Sequence, residues 1–94
     1  MQTDDIIYIE TAKHKNVFYT KKQAYTIYKK MDEIEDELAG GGFVRVHQSF
    51  LVNMRYIEKI SSYVLRLITG KEISVPKSRS QEVKRAFALY KGAE

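Results

Sequence analysis

Ninety-four residues, 44% of them hydrophobic and 30% charged, make one domain near the lower size at which a single core holds a fold without staples, and they leave no room for a second. With no cysteine, a disulfide scaffold and a thiolate site are excluded and a reducing cytoplasm is the expected home; no apolar run approaches the roughly 20 residues that span a bilayer, so a soluble protein or a soluble piece of one is expected. The net charge of +4 is unevenly spread, with eight acids against six bases in residues 1–37 and ten bases against four acids in residues 38–94. Such segregation lets one face turn a positive potential towards an anionic partner, nucleic acid first among them, with a plainly solvated surface as the alternative.

In chain order, Ile6-Ile7-Tyr8-Ile9 is a short apolar run that predicts a strand buried on both faces, and the polar segment from Glu10 to Asn16 interrupts it. Val17–Thr20 and Ala24–Tyr28 are rich in β-branched and aromatic residues and predict a hairpin turning through Lys21-Lys22-Gln23. Met31, Ile34 and Leu38 then fall at helical spacing, Asp32 and Glu35 have capping-box spacing, and Gly40-Gly41-Gly42 stops the helix. The acidic outer face of this helix would repel phosphates and is expected to lie away from any nucleic-acid surface.

Phe43–Val46 and the apolar pattern resuming at Leu51 predict strands on either side of His47-Gln48-Ser49. Ile57–Ser61, Tyr63–Ile68 and Glu72–Val75 follow as further strands, and Pro76 ends the last by withholding a backbone donor. Ser78 and Gln81 have capping-box spacing for a closing helix whose Val83, Ala86, Phe87 and Tyr90 form an apolar stripe against Lys84, Arg85 and Lys91. The expected fold is mostly β with short helices (α+β): about six or seven strands and two helices over residues 1–94, with no internal repeat.

Three polar, cationic segments sit at junctions of this framework: Lys13-His14-Lys15-Asn16, His47-Gln48-Ser49 and Lys77-Ser78-Arg79-Ser80. Their residue types suit DNA. Arg can bond guanine O6 and N7 together, Gln can do the same to adenine N6 and N7, and Lys, Ser and helix-start amides hold phosphates. His14, between two lysines, favours exposure; His47 is open both to a framework role and to a base contact. A catalytic or metal site would need His14 and His47 to meet, with Glu10 or Glu58 nearby, but no ligand spacing or nucleophile motif supports one, so no enzyme and no cofactor is expected. A β-rich module binding an acidic protein surface is the alternative to a DNA binder. A single-strand binder ranks lower, because the tyrosines alternate with core residues at strand spacing.

The run Phe43, Arg45-Val46-His47-Gln48-Ser49-Phe50-Leu51-Val52-Asn53 and Tyr56-Ile57, followed by Ile73-Ser74-Val75-Pro76 and Ser78-Arg79, resembles the LytTR-type DNA-binding domain of bacterial response regulators. Ile7-Tyr8-Ile9-Glu10 and Lys13–Lys15 fit that family's opening, although the strand often found before them is short or absent here, so the resemblance covers nearly the whole chain. It implies an elongated, mainly antiparallel β fold whose loops enter successive major grooves of bent double-stranded DNA, at paired direct repeats in promoters. The base-reading positions then fall on His14, on Gln48, where the family often has Asn, Arg or Lys, and on Arg79. Phosphate contacts fall to Lys13, Lys15, Ser49, Lys77, Ser78 and Lys84, while His47 becomes framework. A receiver domain or a membrane segment usually accompanies such a domain, so an excised domain or a stand-alone regulator is expected, with a dimer on DNA as one arrangement and no membrane contact from these residues.

Overall fold

The computed structural model describes residues 3–93, so the extreme ends of the expected 1–94 domain lie outside the described residues. A short 3-10 turn, Thr3–Asp5, leads into β1 (Ile6–Ala12), β2 (Lys15–Thr20), β3 (Ala24–Ile27) and α1 (Met31–Glu37). Next come β4 (Phe43–His47), β5 (Phe50–Asn53), a second 3-10 turn at Met54–Tyr56, β6 (Ile57–Ser61), β7 (Val64–Leu67), β8 (Glu72–Ser74) and α2 (Lys77–Ala93). The strands form a five-stranded sheet in the order β3-β2-β1-β5-β4 and a three-stranded sheet in the order β6-β7-β8, with antiparallel pairing throughout.

β1 lies at the centre of the larger sheet, between β2 and β5, and its apolar run serves two cores. Ile6 and Ile9 join Phe18, Met31, Ile34 and Leu51, whereas Ile7 joins a larger cluster that includes Val44, Val46, Val52, Leu65, Leu67, Ile73 and Val83. A strict two-residue alternation would put Ile6 and Ile9 on opposite faces. The shift in register against β2 between Ile6 and Tyr8 supplies the odd residue that brings them together. α1 covers the smaller cluster with Met31 and Ile34, and α2 covers the larger one with Val83, backed by Ala86, Phe87 and Tyr90. Each fully buried Leu, Ile or Val contributes about 1.5–3 kcal/mol relative to exposure, so the two clusters hold sheets and helices in one body.

Beside the core, Tyr8 stacks on Tyr19 with ring centroids 4.6 Å apart. Burial pushes the Tyr8 hydroxyl up to about 12, and the neighbouring Tyr19 and Glu10 act in the same direction.

Several local expectations give way to longer-range contacts. The interruption at Glu10 does not end β1, which continues to Ala12 paired with Lys15, so the polar segment becomes a hairpin tip. The Asp32–Glu35 capping box is absent: Lys30 holds the cap position of α1 in extended conformation with no side-chain cap, because Asp32 and Glu35 both turn to Arg45. Ser78 does not cap α2 either. The helix begins at Lys77, directly after Pro76, whose carbonyl accepts the Arg79 N–H at 2.9 Å. The described residues extend 31 × 27 × 25 Å, close to isotropic rather than elongated. The three glycines after α1 do make the sharp return: Gly40 and Gly42 have φ of +83° and +86°, and a Cβ on Gly42 would lie 3.2 Å from the Tyr90 ring.

Candidate nucleic-acid interface

The first polar segment is the two-residue tip of the β1–β2 hairpin. Lys13 (φ 50°) and His14 (φ 68°) are both left-handed, the backbone that a tight hairpin with the native strand twist demands. Neither is Gly or Asn, so the tip holds its exposed side chains at a cost in backbone strain. Below the tip, buried Asn16 bonds Thr11 Oγ1 and the Lys29 carbonyl, and the Thr11 N–H donates to the Ser49 carbonyl at 2.9 Å. That last bond ties the first loop to the second.

The second loop joins β4 to β5 through Gln48 and Ser49. His47 is half-buried and its Nδ1 accepts the Ser49 N–H at 3.1 Å, so the proton of a neutral ring sits on Nε2. Its ring also meets Phe50 edge-on at 6.1 Å. These are framework contacts, as expected for His47.

Arg45 does more than flank the loop. Its side chain is only 12% exposed and every arm of the guanidinium is engaged. Nε donates to the His47 carbonyl at 3.0 Å and Nη2 to the Gln48 carbonyl at 2.7 Å, while Nη1 reaches Asp32 at 3.1 Å and Glu35 at 2.8 Å. A planar fork satisfied on three sides fixes the turn backbone against α1.

The third segment is fastened to the same residue. Arg79 donates from Nε (3.2 Å) and Nη2 (2.9 Å) to the Arg45 carbonyl. These bonds use the lateral edge of its guanidinium. Nη1 and the second Nη2 hydrogen remain at the tip as a pair of parallel donors with no hydrogen-bond partner among the described residues; Glu82 pairs with Nη2 only by charge, at 3.7 Å.

Two surface clefts meet at the second loop. One is lined by His14, Gln48 and Ser49, and the other by His47, Gln48, Ser78 and Arg79; Asp32 and Arg45 line both. His14, Gln48 and Arg79 therefore border one continuous surface. Ser49 and Ser78 lie on it as well. Lys13, Lys15, Lys77 and Lys84 are exposed and line neither cleft. At about 100° per residue, Lys84 projects about 140° around α2 from Arg79.

The acidic helix is not remote from this surface. Asp32 stands in the wall shared by both clefts and Glu35 in the second, because Arg45 draws them there. Sequence reasoning also missed Tyr28, which lies just beyond β3, is 79% exposed and lines the His14 cleft. Strand propensity gave no sign of either. The structural role of Arg45 did leave a trace, since strand alternation sets it opposite Val44 and Val46, away from the larger core.

Comparison with known proteins agrees with this architecture. A family model described as the LytTr DNA-binding domain matches residues 1–88. The chain belongs to the LytTr DNA-binding domain family. The sensory transduction protein LytT of Bacillus subtilis is 37% identical over 95 residues, which cover 95% of the chain and 39% of LytT. The transcriptional regulatory protein YpdB of Escherichia coli K12 is 32% identical over 83 residues, covering 83% of the chain and 34% of YpdB. The chain thus spans well under half of these relatives. In fold, it superposes on the solved LytTr DNA-binding domain of a Bacillus cereus response regulator with a TM-score of 0.83 at 22% identity, covering 92% of the chain and 84% of that structure. The antiparallel, two-helix LytTr fold is therefore the one described above.

Proposed function

We propose that this LytTr domain, a single unit over residues 1–94, reads double-stranded DNA by sequence as the output part of a bacterial transcription regulator. His14, Gln48 and Arg79 address base edges in successive major grooves. Lys13, Lys15, Ser49, Lys77, Ser78 and Lys84 hold the flanking phosphates. The observation that carries the reading is the Arg79 guanidinium, anchored laterally on the Arg45 carbonyl with two parallel donors left at its tip, the geometry that matches guanine O6 and N7. Gln48, on the same surface, supplies the donor and acceptor that suit adenine. Promoter direct repeats bound by two copies, a receiver domain elsewhere in the full-length protein and a cytoplasmic site of action belong to the same proposal, with no cofactor and no catalysis.

Titration against promoter fragments at several salt concentrations tests it. Affinity should fall steeply with salt and differ between sequences; weak binding indifferent to both would end the reading. Within that experiment, Arg79→Ala should cost about 1–3 kcal/mol and relax preference at one base pair, whereas Lys77→Ala should weaken all sequences about equally and lower the salt slope. Identical behaviour of the two variants would refute the division between base and phosphate contacts.

A further inference from the structure

An acidic side chain on a surface meant for phosphates is unfavourable unless it meets a donor, and Asp32 is such a side chain. It lines both clefts beside Gln48 and Arg79, and it is 88% exposed. Only Oδ1 is engaged, at 3.1 Å from Arg45 Nη1, and Oδ2 has no hydrogen-bond partner among the described residues. The guanidinium that holds Asp32 also grips the Gln48 carbonyl, and the Arg45 carbonyl holds Arg79. Asp32, Gln48 and Arg79 are thus located relative to one another by a single residue, the rigidity a specificity site requires.

A carboxylate only accepts hydrogen bonds, and the major groove offers it two donors, cytosine N4 and adenine N6. Gln48 is the better match for adenine, since it supplies both a donor and an acceptor. Cytosine is the partner of the guanine that suits Arg79, and its amino group lies beside guanine O6 at the groove edge.

We propose that Asp32 is a specificity-determining residue whose free carboxylate oxygen accepts a hydrogen bond from the N4 amino group of a cytosine paired with the guanine read by Arg79. The inference rests on the DNA-reading proposal above. It makes the acidic helix a selective element: thymine at that place would set its O4 acceptor against the carboxylate, and any phosphate displaced into the cleft would be repelled.

The test begins with sites selected from random duplex DNA by the wild-type domain; recovering none would overturn the DNA reading itself, separately from the role of Asp32. Each cytosine of a selected site is then replaced by a pyrimidinone base that lacks the 4-amino group, and binding is measured for wild type, Asp32→Ala and Glu35→Gln. At one cytosine, wild type and Glu35→Gln should both lose about tenfold in affinity and Asp32→Ala less than twofold. At low salt, Asp32→Ala should also bind unrelated duplexes about two- to threefold more tightly, as removing one charge roughly 8 Å from a phosphate in water predicts. Equal losses in wild type and Asp32→Ala at every cytosine would overturn the proposal. So would a uniform weakening shared by Asp32→Ala and Glu35→Gln, which would leave Asp32 only as a prop for Arg45.

Discussion

Replacing Lys13 by Asn together with His14 by Gly is expected to make the domain more stable and a poorer DNA binder. Both residues occupy left-handed backbone at the tip of the first hairpin, with φ of 50° and 68°. A side chain there costs about 1–2 kcal/mol, and the lower end applies because histidine is among the residues better tolerated in that region. Two positions therefore hold about 2 kcal/mol of strain. Asn-Gly is the pair this turn prefers, but the greater freedom of glycine in the unfolded chain returns about 0.5–1 kcal/mol. The net gain is about 1 kcal/mol, which in a domain of this size raises Tm by about 4–8 °C. Loss of the His14 side chain should at the same time weaken specific binding by about 1–3 kcal/mol. Thermal melts followed by circular dichroism, alongside titration with a selected site, read both quantities. Unchanged stability would refute the strain, and undiminished specific binding would refute His14 as a reader.

Arg45→Met removes the donors that hold the His47 and Gln48 carbonyls and leaves Asp32 and Glu35 without their cation, so it should cost about 1–3 kcal/mol of stability in urea unfolding. Specific binding should fall far more than for Lys77→Ala; a variant that binds normally would show that the loop does not need its clamp. Gly42→Ala forces a side chain to φ +86° and to 3.2 Å from the Tyr90 ring, and should destabilise by about 1–3 kcal/mol in the same assay, with an unaltered midpoint counting against the account. Tyr8, pushed up to about 12 in the fold against about 10 unfolded, keeps its proton longer than the unfolded chain does, so its contribution is complete below pH 10 and is lost as pH rises through about 12. Tyr8→Phe should flatten the decline of stability between pH 10 and 12; an equal slope in both proteins would rule out Tyr8 as its source.

What could be read from sequence was whatever depends on hydrophobic pattern. The continuous run Ile6–Ile9 announced a strand between two cores, and the stripe Val83, Ala86, Phe87 and Tyr90 announced the helix that covers one of them. Capping spacing misled at Asp32 and at Ser78 because the Asp32 and Glu35 carboxylates found a stronger partner in Arg45, thirteen and ten residues along the chain, and because Pro76 already set the start of α2. Polarity misled at Glu10–Ala12, whose half-buried Glu10 and Thr11 and exposed Ala12 fit the end of a paired strand as well as a loop. Charge misled most at the acidic helix. Like charge keeps phosphates away in isolation, yet a single half-buried arginine, Arg45, brought Asp32 and Glu35 to the surface expected to receive DNA. The placement of the three polar segments at junctions was legible; the bonds that join them were not, since each links residues that no local window contains.

The fastening of the loops has an uneven consequence for how this domain could change its target. Position 48 is held by its main-chain carbonyl, so its side chain takes no part in its own placement and can be exchanged while the loop stays where it is. Position 79 is held by the very guanidinium that faces outward, and any other residue there would lose its seat along with its donors. Retargeting should therefore proceed through residue 48, with residue 79 as the fixed point against which new operators are measured.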